Sequence, residues 1–190
     1  MYGGNGQDVI FGDSDNDLIY GGNGADILHG GSGADELFGQ AKGDTLNGNA
    51  GDDSLAGGNG SDTLNGGADK DELYGGAGSD MLFGDAGDDQ LFGKAGTDIL
   101  DGGSGDDMLT GGNLSDTFVF GTGYDEDTII DFQNNVDQID LSDFGFSNST
   151  AALETATQVG GHLVFNFGGG DVLTIENTTA GQIENDLIIA

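Results

Sequence analysis

The sequence predicts an all-β fold: a parallel β-roll, a β-solenoid of nine-residue units with 18 residues per coil, followed by a β-rich C-terminal cap. Thirteen consecutive units run from Gly3 to Val119 without insertion or deletion. Every unit begins with Gly, carries Asp at its sixth position and has a large apolar residue at its eighth. A short period held this strictly is typical of a solenoid, because each unit repeats one element of structure.

Each unit divides into a turn and a short strand. The first six residues are rich in Gly, Asn and Asp, and glycine at the first, second and fourth positions permits the positive φ of tight turns. The last three residues predict a very short strand whose middle residue, such as Leu46 between Thr45 and Asn47, faces the core. Two turns and two strands close one coil, so residues 1–119 form the predicted roll.

The ninth position of each unit faces away from the predicted core. In one sheet it presents a row of aromatic residues at one-coil spacing, interrupted at Ala56: Tyr20, Phe38, Tyr74 and Phe92. Such a row stabilises stacked short strands. A flat aromatic stripe also binds sugar rings, so both interpretations stay open.

The nine-residue period stops after Val119, and residues 120–190 alternate polar and apolar residues in short runs. This pattern predicts a cap that closes the exposed end of the roll, with a hairpin turn at Phe167–Asp171 and a short helix over 149–157 anchored by Leu153. The candidate strands at the end of the roll and in the cap are Thr117–Phe120, Thr128–Phe132, Gln138–Leu141, His162–Phe167, Val172–Glu176 and Asp186–Ile189.

Composition limits the partners of the chain. Only three residues are cationic against 35 Asp plus Glu, giving a formal net charge of −32. The negative charge of the chain would repel phosphate groups, which argues against nucleic acid and anionic membrane surfaces as partners. The absence of Cys excludes disulfides and thiolate metal sites. No apolar run approaches the roughly 20 residues of a membrane helix, so we expect no membrane insertion.

The sixth-position carboxylates are the candidate metal ligands. Hard cations take six to eight oxygens from carboxylates and carbonyls, and each turn offers one carboxylate with several carbonyls. Hydrogen bonds that cap turns would explain one such Asp, but not thirteen in strict phase. The candidate ligands are Asp8, Asp17, Asp26, Asp35, Asp44, Asp53, Asp62, Asp71, Asp80, Asp89, Asp98, Asp107 and Asp116.

The best units read G-G-x-G-x-D-x-U-x, where U is a large aliphatic residue, as in GGNGADILH from Gly21 and GGSGADELF from Gly30. This pattern resembles the calcium-binding nonapeptide of the RTX (repeats-in-toxin) family. The resemblance covers about two thirds of the chain and implies a β-roll that binds several calcium ions.

Turns one coil apart, such as those of Asp8 and Asp26, are expected to share each ion. Thirteen half-sites in two stacks leave eleven gaps, and eleven ions would bring +22 against the −32 of the chain. Lys42, Lys94 and Leu114 replace turn glycines, which predicts weaker sites there unless carbonyls still coordinate and the side chains point to water.

The C-terminal segment carries a second resemblance. DTFVF at Asp116–Phe120, DTIIDF at Asp127–Phe132 and DQIDLSDFGF at Asp137–Phe146 resemble the segments after the repeats of serralysin-type proteases and mannuronan (alginate) epimerases. The terminus NDLIIA at Asn185–Ala190 resembles a type I secretion signal, although an ordinary final strand would look the same. The resemblance implies a secreted bacterial protein, transient contact with type I secretion machinery, and an upstream catalytic or adhesive domain.

We expect no catalysis from this chain, because it contains neither an HExxH zinc motif nor a GxSxG nucleophile elbow. His29 and His162 stand alone in the sequence, which favours solvated or packing roles. The predicted function is a calcium-binding module that folds after export. The alternatives are a polysaccharide-binding module and an adhesin or surface-layer segment.

Overall fold

The computed structural model describes residues 1–189 and is a parallel β-roll of two sheets. The strands of the repeats are β1 (Tyr2–Asn5), β2 (Val9–Ser14), β3 (Leu18–Asn23), β4 (Ile27–Ser32), β5 (Glu36–Ala41), β6 (Thr45–Ala50), β7 (Ser54–Asn59), β8 (Thr63–Ala68), β9 (Glu72–Ala77), β10 (Met81–Ala86), β11 (Gln90–Ala95), β12 (Ile99–Ser104), β13 (Met108–Asn113) and β14 (Thr117–Val119). Odd-numbered strands from β1 to β13 lie in one sheet and even-numbered strands from β2 to β14 in the other. The predicted all-β roll with 18 residues per coil is confirmed.

Most repeat strands are twice as long as the three residues predicted. The strand β6, for example, continues from the end of one unit through the first three residues of the next. Its glycine-rich half pairs in register with the following coil, Asn49 with Gly67 and Ala50 with Ala68, so these residues belong to the ladder. Only the fourth to sixth positions remain as the turn, because the ladder hydrogen bonds outweigh the low strand propensity of glycine.

Apolar residues from both sheets fill the roll. Each eighth-position side chain from Ile19 to Phe118 is no more than 1% exposed, whereas Ile10 in the first coil is partly buried. Strand neighbours on either side of these residues point outward, as the alternation of a strand requires. The prediction that the eighth-position residue faces the core is therefore confirmed.

Both sheets continue past residue 119, where the sequence period ends. The strands of this segment are β15 (Glu126–Ile129), β16 (Gln138–Asp140), β17 (Ala156–Val159), β18 (His162–Gly168), β19 (Asp171–Ile175) and β20 (Leu187–Ile188). The parallel pairs β13–β15–β19 and β14–β16–β20 extend the coil, and β17, β18 and β19 then form antiparallel pairs at one edge. The six candidate strands are present with altered bounds, whereas β17 was not predicted.

Two short helices and a 3-10 turn complete the cap. Helix α1 spans Ser149–Leu153 and helix α2 spans Ala180–Ile183, and the 3-10 turn covers Ser142–Phe144. The helix predicted over 149–157 is thus shorter, because the chain leaves it to enter β17. Its fully buried residue is Ala152, and Leu153, the expected anchor, is only partly buried.

An aromatic cluster closes this end of the roll. Phe120, which is 2% exposed, lies with its ring centroid 5.8 Å from Phe144 and 5.4 Å from Phe167. Phe144 and Phe167 stack on each other at 4.1 Å. Rings in such contact contribute stability beyond their buried area, and this cluster is continuous with the hydrophobic core of the roll.

The C-terminal tail pairs with the rest of the roll. Leu187 and Ile188 of β20 lie in register with Ile139 and Asp140 of β16. Ala190, the last residue of the predicted secretion signal, lies outside the described residues. Among residues 1–189, no helix has the length and apolar character needed to cross a bilayer.

Candidate metal centres

The thirteen predicted aspartates form two stacks, one along each side of the roll. In each stack the backbone N–H of one Asp donates to Oδ1 of the Asp 18 residues later, for example Asp26 to Asp44 and Asp35 to Asp53, both at 2.7 Å. One stack runs through Asp8, Asp26, Asp44, Asp62, Asp80, Asp98 and Asp116, and the other through Asp17, Asp35, Asp53, Asp71, Asp89 and Asp107. The expected pairing of turns one coil apart is present.

These carboxylates are buried with one oxygen left over. From Asp26 to Asp116 the sixth-position side chains are at most 3% exposed, while Asp8 and Asp17 in the first coil are partly buried. In all thirteen, Oδ2 is buried and receives no hydrogen bond from any described residue. Burying an ionised oxygen without a partner is costly, so each Oδ2 marks a place that requires a cation or a proton.

The first-position glycines make room for these carboxylates. A β-carbon at Gly93 would lie 2.6 Å from Oδ2 of Asp98 and 2.6 Å from the carbonyl oxygen of Gly111, both within the distance of a clash. None of the thirteen first-position glycines has positive φ. The expectation that backbone freedom accounts for their invariance is therefore wrong for this position, where the cause is space.

Positive φ occurs at the second and fourth positions instead. Every second position has it, with φ between 73° at Asp85 and 121° at Gly67, and Lys94 among them has 78°. Lys42 and Leu114 adopt it at the fourth position with φ of 78° and 79°. Side chains there are strained but tolerated. The three departures from the motif thus keep the turn conformation of the other units.

Carbonyl oxygens line the space between successive turns. A β-carbon at Gly33 would lie 2.6 Å from the carbonyl oxygen of Asp15, and one at Gly51 would overlap the carbonyl oxygen of Gly33. Within residues 1–189, no three His, Asp or Glu side chains converge on one point. Any ion held here would therefore bind a mixture of carboxylate and carbonyl oxygens, which is the donor set of a hard cation such as calcium.

Burial raises the pKa of the sixth-position carboxyl groups from Asp44 to Asp116. The pKa of Asp71 rises to about 8 and that of Asp107 to about 7, mainly through desolvation. Hydrogen bonds from Asp53 and Asp89 oppose the rise, and the negative charge of neighbouring aspartates adds to it. Without cations, Asp71 and Asp107 therefore hold their protons to higher pH than an exposed carboxyl group does, because their charged forms are neither solvated nor neutralised.

Lys94 directs its charge away from the turn. Its Nζ lies 4.8 Å from the ring centroid of Phe92 and 5.2 Å from that of Tyr74, on the outer face of the sheet. A cation–π contact of this kind contributes about 0.5–1 kcal/mol at an exposed site. The ammonium group therefore does not enter the gap between turns, which favours the interpretation that carbonyls remain available there.

Two further aspartates join the stacks outside the nine-residue phase. Asp107 donates its N–H to Oδ1 of Asp127 and Asp116 to Oδ1 of Asp137, both at 3.0 Å, although the spacings are 20 and 21 residues. Asp127 and Asp137 are each 1% exposed. A search with a fixed period misses them, but both keep the local pattern of Asp followed two residues later by a buried Ile.

Comparison with known proteins agrees with this geometry. The model of the RTX calcium-binding nonapeptide repeat (four copies) matches residues 2–37, 29–64, 38–73, 57–91, 65–100, 83–118 and 92–127. No curated protein matches the chain.

Two solved structures illustrate the likeness. The solution structure of the AlgE6R3 subunit from the Azotobacter vinelandii mannuronan C5-epimerase is 29% identical over 64% of this chain and 78% of that chain, with a TM-score of 0.49. The crystal structure of the extracellular lipase LipA from Serratia marcescens is 23% identical over 94% of this chain, with a TM-score of 0.51, and the chain spans 39% of that lipase. Since the family model covers more than half of the sequence, the chain belongs to the RTX calcium-binding nonapeptide repeat family.

Proposed function

We propose that this chain is a calcium-triggered folding module of an exported protein. The observation that carries the proposal is the set of thirteen buried Oδ2 atoms that no described residue neutralises. The proposed ligands are the thirteen sixth-position aspartates together with turn carbonyls, and eleven ions fill the gaps between their turns. Calcium bound only by the folded state stabilises that state in proportion to the logarithm of its concentration.

The energetic logic rests on charge. A net charge of −32 opposes compaction, so the calcium-free chain is expanded at neutral pH. Such a chain suits passage through a narrow type I secretion channel, and the millimolar calcium outside a cell fills sites of the weak extracellular kind. Folding outside then opposes backsliding and assists a catalytic or adhesive domain upstream.

The test is far-UV circular dichroism of the chelator-treated chain during a calcium titration, with magnesium as the control. We expect a cooperative gain of β signal with calcium and none with magnesium. A chain that is already folded in excess chelator and unchanged by calcium would refute the proposal. The aspartates would then have to serve turn formation alone.

Export depends on the tail in this proposal. Residues 120–190 act as the cap of the 1–119 roll and carry the secretion signal at Asn185–Ala190, while Leu187 and Ile188 become a strand once the module folds. Removing the last six residues is expected to retain the protein inside a bacterium that carries a type I exporter. Unchanged secretion of the shortened chain would show that the tail is only a strand.

Glycan binding is the second candidate, and the aromatic ladder is the feature that bears on it. Tyr20 stacks on Phe38 and Tyr74 on Phe92, each pair at 4.9 Å with ring planes within 14°. These rings cover one another's faces, which favours a role in stabilising the sheet over a platform for sugars. Calcium-dependent retention on an alginate column, abolished by Phe92→Ala, would reverse this preference.

A further inference from the structure

The two aspartate stacks extend one turn beyond the repeats but end in different surroundings. One stack ends with Asp127 above Asp107, and the other with Asp137 above Asp116. Both terminal carboxylates are buried to the same degree, with 1% exposure. They therefore offer a matched pair for asking what neutralises a buried carboxylate at the end of a stack.

At Asp137 the protein supplies the donors. The backbone N–H of Gln133 donates to Oδ2 of Asp137 at 2.8 Å, and Nε2 of Gln133 donates to the carbonyl oxygen of Gly112 at 2.6 Å. Gly112 is the second residue of its unit, and carbonyls at this position, such as those of Asn49 and Lys94, face the second residue of the next coil. Gln133 thus donates hydrogen bonds to a carboxylate oxygen and to a carbonyl oxygen of the kinds that remain available between coils in the repeats. The N–H groups that it places there repel a cation.

At Asp127 no such donor exists among residues 1–189, so Oδ2 is buried and unpartnered as in the thirteen repeats. The backbone beside it also keeps the repeat geometry. Thr128 donates its N–H to the carbonyl of Asp107 at 2.8 Å, as Thr45 does to the carbonyl of Asp26 at 2.8 Å. The turn before Asp127 is longer than a repeat turn, yet Asp127 aligns with Asp107 of the preceding coil as the aspartates of the repeats do.

We propose that a calcium ion lies between the turns ending at Asp107 and Asp127, beyond the last unit of strict nine-residue phase, and that the gap between Asp116 and Asp137 holds none because Gln133 closes it. The inference rests on the proposed function only in requiring that calcium fills the repeats. Its consequence is that calcium reaches past the last repeat and ties β15, and through it the hairpin of β18 and β19, to the roll.

The ion count of three proteins tests this inference. Native mass spectrometry in calcium would compare the unaltered full chain with Asp127→Asn and Asp137→Asn, which remove the same charge from equally buried positions. We expect Asp127→Asn to hold one ion fewer and Asp137→Asn to hold the same number as the unaltered chain. An unchanged count for Asp127→Asn, or a loss in Asp137→Asn, would overturn the assignment.

A structure of the unaltered chain decides the matter if a variant does not fold. In crystals grown with calcium, anomalous scattering should place an ion between Asp107 and Asp127, and Gln133 should keep its two hydrogen bonds beside Asp137. Absence of the first ion while ions fill the repeats would refute this inference and leave the proposed function standing. Absence of ions from the repeats as well would remove both.

Discussion

The backbone N–H of Asp98 donates to Oδ1 of Asp116 at 2.9 Å, while Oδ2 of Asp116 has no donor within residues 1–189. Each sixth-position carboxylate from Asp26 to Asp116 is divided in this way. One oxygen fixes the register between coils, and the other is left to be neutralised. If calcium binds as proposed, folding and ion binding depend on the same side chain, and a change at one aspartate affects both.

Adjacent aspartates should differ sharply in their importance. Asp89 is buried and its Oδ1 accepts from Asp71 at 2.7 Å, whereas Asp88 is exposed and accepts from Asp106 at 3.1 Å. We expect Asp89→Asn to raise the calcium concentration at the folding midpoint by on the order of tenfold, since a hydrogen bond to a charged group contributes about 1.5–3 kcal/mol. Asp88→Asn, measured in the same titration, should change it little; equal effects would argue for charge alone.

The first-position glycines should tolerate no side chain. In Gly93→Ala the new β-carbon would displace the Asp98 carboxylate, and overpacking of this kind costs about 1–3 kcal/mol. Gly161→Ala is the control, because no atom lies within 4 Å of the point that its β-carbon would occupy and its φ is not positive. Thermal unfolding in calcium should show a lower Tm for the first variant only. Equal Tm values would mean that the carboxylate can move without cost.

The calcium-free chain should become more folded as the pH falls. The pKa of Asp53 rises to about 6 and that of Asp71 to about 8 in the folded state, from an ordinary value of 3.8. The folded state therefore binds more protons than the unfolded state across this interval, and its stability is lost as the pH rises from about 4 to about 8. Circular dichroism in excess chelator should show β signal growing from pH 8 toward pH 5. A steady loss of signal over the same range would contradict this prediction.

In calcium the pH dependence should reverse. Protons compete with the ion for the same oxygens, so acid should weaken calcium binding even as it favours the calcium-free fold. Calorimetric titration at pH 7 and pH 5 would measure the change in affinity, and buffers of different ionisation enthalpy would detect the protons released. Affinity that does not change with pH would show that the buried aspartates are not the ligands.

The aromatic cluster of the cap should stabilise the module independently of any ion. Phe167 contacts Phe120, Phe144 and Phe165 with centroid distances of 5.4, 4.1 and 5.6 Å. Phe167→Ala should lower the free energy of unfolding in saturating calcium by about 1–2 kcal/mol, because Phe167 is partly buried and full burial of such a side chain contributes about 1.5–3 kcal/mol. Phe11→Ala, at a position 57% exposed, is the comparison and should have a smaller effect in the same denaturant titration. Similar losses of unfolding free energy in the two variants would mean that the cap does not unfold cooperatively with the roll.

Periodicity predicted the roll because each apolar residue and each aspartate has one environment repeated many times. Strand length was underestimated, since glycine propensity gave no sign that residues such as Gly67 pair across coils. The role of the first glycine was also misread, because a clash with Asp98 becomes visible only when the carboxylate is placed in space. The roles of Asp127 and Gln133 could not be predicted for the same reason. The turns in this part of the chain are longer than the repeat turns, so the alignment with the preceding coil is visible only in the folded structure.

The alternation of units between the two sheets limits how such a chain can change in length. Neighbouring strands of one sheet come from units two apart, as with Leu46 and Leu64. Loss or duplication of a single unit in the gene would move every later unit to the opposite sheet and present the cap with the wrong partner strands. Loss or duplication of two units would leave every pairing intact, so recombination that lengthens or shortens this protein should be viable only in whole coils.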